Sequence, residues 1–127
     1  MKLIYIAGPY TAPTVCERRR NVQAARDLAD QVNRLHGAEG AFAITPHFVG
    51  DGIEDSGDAQ FWYDGTMELM RRCDAVLLVD GWHESKGAQA ERDVALRRGL
   101  PVFAEGELFS EKGEMPAFYA WLLTAQQ

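Results

Sequence analysis

Ala75-Val76-Leu77-Leu78-Val79, running straight into Asp80-Gly81, decides the fold. Five apolar residues in a row, with no polar alternation, are what a strand buried on both faces requires. Three shorter runs resemble it. Leu3 to Ala7 stops at Gly8-Pro9, Ala41 to Thr45 stops at Pro46, and Pro101 to Ala104 closes the series. Each is bounded by turn-forming residues, as short buried strands are.

Helical patterns fill the gaps between these runs. From Glu17 to His36 the apolar positions Val22, Ala25, Leu28, Ala29, Val32 and Leu35 follow helical spacing, with Gly37 as a C-terminal stop. Asp58 is placed to cap a helix carrying Ala59, Trp62, Thr66, Leu69, Met70 and Cys73 on one face. Ser85 opens a helix that ends near Gly99, and Pro116 begins a final apolar one through about Leu123. Strands alternating with helices mean right-handed βαβ units: an α/β fold, one parallel sheet sandwiched by helices, flavodoxin-like or Rossmann-like in its winding. The 127 residues read as one domain spanning 1–127, without repeats, linkers or low-complexity tracts.

Composition narrows the function. With 46% hydrophobic residues there is material for one core, and a formal charge of −6 argues against a grip on long nucleic acid. No apolar stretch is long enough to span a bilayer or serve as a signal peptide, so no membrane partner is expected. Cys16 and Cys73 lie far apart and, with three His, show no metal-ligand spacing. Free thiols in a reducing cytoplasm, and no metal or redox cofactor, are the expectation.

In a sheet wound this way ligands bind at the carboxyl ends of the strands, near the point where strand order reverses. Those ends are Gly8-Pro9-Tyr10, Thr45-Pro46-His47, Asp80-Gly81-Trp82 and the loop after Ala104. The run Ser85-Lys86-Gly87-Ala88-Gln89-Ala90-Glu91 follows the third. Ser85 is a plausible N-cap, and Gly87 leaves the first-turn N–H groups open to an anion. Glu91 shares a helix face with Gly87, Ala88, Val94 and Ala95, the face that packs on the sheet. A carboxylate there is costly unless satisfied. Ala88 occupies the capping-box position and no basic residue stands three or four places away, so neither local role is open to Glu91. What remains is a structural carboxylate with a distant partner, or a functional one.

Four elements together resemble the nucleoside 2-deoxyribosyltransferase-like superfamily. They are Tyr5-Ile6-Ala7-Gly8-Pro9, Asn21 early in the first helix, Arg72-Cys73-Asp74-Ala75-Val76-Leu77-Leu78, and Ser85-x-Gly87-x-x-x-Glu91. That superfamily includes the 2'-deoxynucleoside 5'-phosphate N-hydrolases and small proteins of the DUF4406 family, the nearest group, and the resemblance covers roughly residues 2–104. It implies cleavage or transfer of the N-glycosidic bond of a (deoxy)nucleoside or its 5'-monophosphate. The matching Glu91 would attack the anomeric carbon, forming a glycosyl-enzyme ester through an oxocarbenium-like transition state. Tyr5 matches the tyrosine that holds this Glu. Ser85 and Gly87 match contacts to a 5'-phosphate. Gly8, with Pro9 after it, matches the tight loop beneath the substrate.

The sequence departs from the pattern in two places. Related sequences often carry an Asp eight residues before the strand-opening Asp74, where it binds or protonates the base; here Thr66 stands there, with Asp64 two residues earlier. Thr66 can contact a base but cannot act as an acid at neutral pH, so a shifted helix would have to bring Asp64 into the catalytic role. The Arg that some hydrolases carry just after the first-strand Gly is replaced by Tyr10 and Thr11.

His47, at the ligand-facing edge, is a further candidate for contact with base or phosphate. Arg18-Arg19-Arg20 sit at a helix start, and Asp51, Glu54, Asp55 and Asp58 form an acidic stretch that lacks a calcium-loop pattern and reads as a lid. The expected partner is a small nucleoside or nucleotide. Phe61-Trp62-Tyr63 and the apolar tail Met115 to Leu123 exceed what one core needs, which points to a homo-oligomer, a dimer first. Two other functions are compatible with these residues: an NAD-cleaving hydrolase, and a non-catalytic nucleotide-binding module, which Thr66 favours. A phosphorelay receiver is excluded because Gly8-Pro9 offers no acidic pair after the first strand.

Overall fold

The computed structural model describes residues 1–49, 52–108 and 115–125. The four apolar runs form strands β1 (Lys2–Ala7), β2 (Ala41–Ile44), β3 (Ala75–Leu78) and β4 (Val102–Ala104). All pair in parallel in the order β2-β1-β3-β4. This is the start of the flavodoxin-like 2-1-3-4-5 winding, whose strand order reverses between β1 and β3. In that central pair Ile4 lies beside Ala75 and Ala7 beside Leu78.

Four helices cover the sheet: α1 (Val15–His36), α2 (Ala59–Arg71), α3 (Lys86–Arg97) and α4 (Ala117–Ala125). The first three begin at side-chain caps. Thr14 accepts from the Glu17 N–H, Asp58 from that of Phe61 and Ser85 from that of Ala88, each satisfying a donor with no partner inside its helix. Thr14 therefore starts α1 two residues before Glu17, the expected beginning.

Strand side chains alternate between two buried layers. Ile4, Ile6, Leu77 and Val79 pack with Ala25, Leu28 and Val32 of α1 and with Phe118 and Leu122 of α4. Tyr5, Ala7, Val76 and Leu78 face the other way, onto Met67 and Met70 of α2 and Ala95 of α3. The α4 tail thus has a core of its own, with the Phe103 ring edge-on to Phe118 at 5.5 Å.

Some local expectations are corrected. Gly37 is right-handed (φ −60°) and leads into a single 3-10 turn; the left-handed residue that redirects the chain into β2 is Gly40 (φ 89°). On α1, Leu35 is exposed and His36 is buried, since His36 follows the core residue Val32 by one turn. On α2 the buried residues are Met67 and Met70, while Ala59 is exposed and Cys73 lies beyond the helix end. Of the acidic stretch, Asp51 lies outside the described residues, and Asp58 is the α2 cap rather than part of a lid.

Candidate active site

Tyr5 is the polar member of the second buried layer. Its ring is fully buried under α2 and α3, and its hydroxyl donates to Glu91 Oε2. Two features of the chain bring the pair together. Position 5 takes the α2/α3 face by strand alternation, and position 91 takes the sheet-facing side of α3 because Ala88 and Ala95, one turn either side, are buried there. Glu91 itself is partly buried. Loss of water raises its pKa to about 7, and the Tyr5 hydrogen bond pulls the other way without cancelling that effect. Burial, then the Glu91 charge, push the Tyr5 hydroxyl far above its ordinary value, so the tyrosine stays protonated and remains a donor.

Thr66 joins this pair. Its hydroxyl is hydrogen-bonded to that of Tyr5, and its Oγ1 also lies 3.0 Å from the Trp62 carbonyl and 3.2 Å from that of Tyr63, one turn back on α2. Asp64 is not brought in. It is exposed, its Oδ1 accepts from Gln60 at 2.8 Å, and on a regular helix it stands about 200° around from Thr66. α2 shows no shift that would turn it inward, so the expected acid position is filled by a threonine.

The loop after β1 is held at close quarters. A Cβ added at Gly8 would come within 2.7 Å of Val79 Cγ2, so only glycine lets the two central strands end this close together. His47, in a single 3-10 turn after β2 (Pro46–Phe48), donates from Nε2 to the Pro9 carbonyl at 3.1 Å. Burial lowers its pKa, opposed by the carbonyls of Pro9 and Gly8, and its Nδ1 is buried without a partner among the described residues. Asn21 of α1 donates to the Tyr10 carbonyl at 3.3 Å, tying the same loop from the other side. His47 is thereby a brace for Gly8-Pro9, a role the sequence pattern did not reveal.

The start of α3 follows a left-handed Gly81 and a 3-10 turn, Trp82–Glu84. Ser85 spends its side chain on Ala88. Gly87 is exposed, and the nearest atom to a Cβ placed there is Ser85 Oγ, 3.9 Å away. Arg92 lies over the Trp82 ring at 5.2 Å from its centre. Among the described residues no group of three or more His, Cys, Asp or Glu is placed to hold a metal ion. Nor is any described helix long and apolar enough to cross a membrane.

The model of one protein family, a domain of unknown function named DUF4406, matches residues 2–104. The chain belongs to the DUF4406 family. The matched span holds all four strands, α1 to α3, and the Tyr5, Thr66 and Glu91 cluster; α4 falls outside it. No curated protein matches the chain.

Proposed function

We propose that this DUF4406 protein is an enzyme that cleaves or exchanges the N-glycosidic bond of a (deoxy)nucleoside or its 5'-monophosphate, on the deoxyribosyltransferase-like plan, with Glu91 as nucleophile. One observation carries this reading: a partly buried carboxylate held by a buried tyrosine, beside the β1–β3 switch point where such folds bind ligands. A merely structural carboxylate would be expected to find a cation or several N–H donors; Glu91 has a single phenol and a pKa raised by burial, the condition of a group kept for chemistry.

A Glu91 carboxylate oxygen bonds to the anomeric carbon as the bond from that carbon to the base nitrogen breaks. Its electron pair leaves with the base, which takes up a proton. Water, or a second base, then attacks the same carbon and releases Glu91 as carboxylate. Tyr5 fixes one carboxylate oxygen and leaves the other to attack. Because the reactive form is the anion and the pKa is about 7, kcat/KM should climb with pH and level off above 7. The N–H groups of Lys86 and Gly87, in the first turn of α3 and about one turn before Glu91, suit a 5'-phosphate. Both cysteines are free, one of them exposed, which supports a reducing cytoplasmic setting.

Thr66 in place of an acid favours a second reading, a nucleotide-binding module without turnover. Incubation with a panel of nucleosides, 5'-monophosphates and NAD, followed by chromatography for released base, separates the two. Release from a nucleoside or monophosphate supports the proposal; nicotinamide release from NAD alone moves the substrate class; binding without release supports the module.

A further inference from the structure

We propose that Thr66 is a positioning residue for Glu91, acting through Tyr5 as the reversible end of a three-group hydrogen-bonded chain. This rests on the reading of Glu91 as the reactive group, but its test does not require turnover. The three groups come from three elements, α2, β1 and α3, and meet under the second buried layer. Each hydroxyl has one proton to give and lone pairs to receive. The Thr66 proton has two destinations: inward to the Tyr5 oxygen, or back along its own helix to the carbonyls of Trp62 and Tyr63 at 3.0 and 3.2 Å.

The direction of the chain follows the charge on Glu91. With Glu91 ionised, Tyr5 donates to it, and the Tyr5 oxygen is open to receive the Thr66 proton. Donation into the phenol strengthens the phenol as a donor, so the anion gains from a group it does not touch. With Glu91 protonated, its own O–H donates to the Tyr5 oxygen, the Tyr5 proton turns to Thr66 Oγ1, and the Thr66 proton turns back to the Trp62 carbonyl. Every group stays satisfied in both states, and only hydrogen positions change. A valine at position 66 would fill nearly the same space and break the chain at its outer end; a serine would keep it.

The test is the titration of the Glu91 side-chain carboxyl carbon, followed by NMR in the full chain without substrate. Thr66→Val should raise the midpoint by roughly half a unit to one unit, the effect of one neutral hydrogen bond on the charged form. Thr66→Ser should restore the wild-type midpoint. In a Tyr5→Phe background the Thr66→Val change should add nothing, since Thr66 acts through the phenol. Thr66→Ala serves as a second hydroxyl-free variant should the valine not fold. An unshifted midpoint in the hydroxyl-free variant overturns the proposal. A serine variant shifted as far as the valine assigns the effect to packing and overturns it equally. A failed search for base release with these shifts present would remove the catalytic reading and leave the chain intact.

Discussion

The Tyr5 hydroxyl donates to Glu91 Oε2 across 86 positions of sequence, joining the strand at one side of the switch point to the helix that follows the other. The pair is buried enough to raise the Glu91 pKa to about 7, yet it contains no cation to stabilise the charge. A folded protein that holds a carboxylate this way gives up stability to do so.

That loss is measurable without any substrate. Between the ordinary value of 4.5 and about 7 the folded state keeps the Glu91 proton that the unfolded state has released. The unfolded state therefore binds fewer protons, and the Glu91 contribution to stability falls as pH rises through that window. Glu91→Gln, which still accepts from Tyr5, should be more stable than wild type at pH 8 by about 1–3 kcal/mol, with the difference gone near pH 4. Urea unfolding at both pH values checks this. Equal stabilities at pH 8 would mean that Glu91 is not strained by its surroundings.

His36 should produce the opposite slope. Its ring is buried between α1 and α4, stacked on Tyr119 at 5.2 Å, and neither ring nitrogen has a partner among the described residues. Burial lowers its pKa, with Glu39 opposing. The folded state thus resists a proton that the unfolded state accepts below about 6.5, and stability is lost as pH falls through that value. His36→Phe should flatten the loss between pH 7 and 5, measured by urea midpoints; an unchanged acid limb would place its origin elsewhere.

Gly87→Ala separates ligand contact from fold. The added methyl meets nothing in the chain closer than 3.9 Å, and alanine favours a helix over glycine by roughly 0.5–1 kcal/mol. The variant should be slightly more stable, yet bind 5'-monophosphates about tenfold more weakly, because the methyl stands where the phosphate approaches. Calorimetry with a monophosphate and its nucleoside checks both parts. Unchanged monophosphate affinity, or no preference for it over the nucleoside, would remove the phosphate from the start of α3.

A dimer is expected through the outer face of α2. Phe61 and Tyr63 are 56% and 43% exposed, and Val49, Phe61, Trp62, Gly65 and Leu69 line an apolar groove beside them. The tail no longer contributes to this expectation, since Phe118 and Leu122 are buried within the chain. Light scattering at micromolar concentration should give about twice 14.2 kDa. A mass of 14.2 kDa throughout a dilution series would rule the dimer out.

The sheet was legible because burial on two faces leaves a mark that few other structures leave: unbroken apolar runs such as Ala75 to Val79, stopped by turn residues. The inward face of Glu91 was legible for a similar reason, from the small residues one turn either side. Its partner was not. Nothing local in Tyr5-Ile6-Ala7 says which helix will cross it, so that pairing was implied by family resemblance alone. Helix ends and faces were misread where neighbours compete. Gly37 gave way to Gly40, and Leu35 to His36, because apolar character ranked them while the angle around the helix decided. Thr66 was noticed as a missing acid; that its hydroxyl would meet Tyr5 depends on how α2 sits on the sheet, which spacing within α2 does not contain.

The central claim is that Glu91 bonds to the sugar. Base release by wild type and by Glu91→Gln, compared on the substrate that the panel identifies, tests it most directly, with urea unfolding confirming that the variant is folded. Loss of a covalent catalyst should lower kcat/KM by at least ~10³-fold. A folded Glu91→Gln protein that keeps most of its activity would contradict the account.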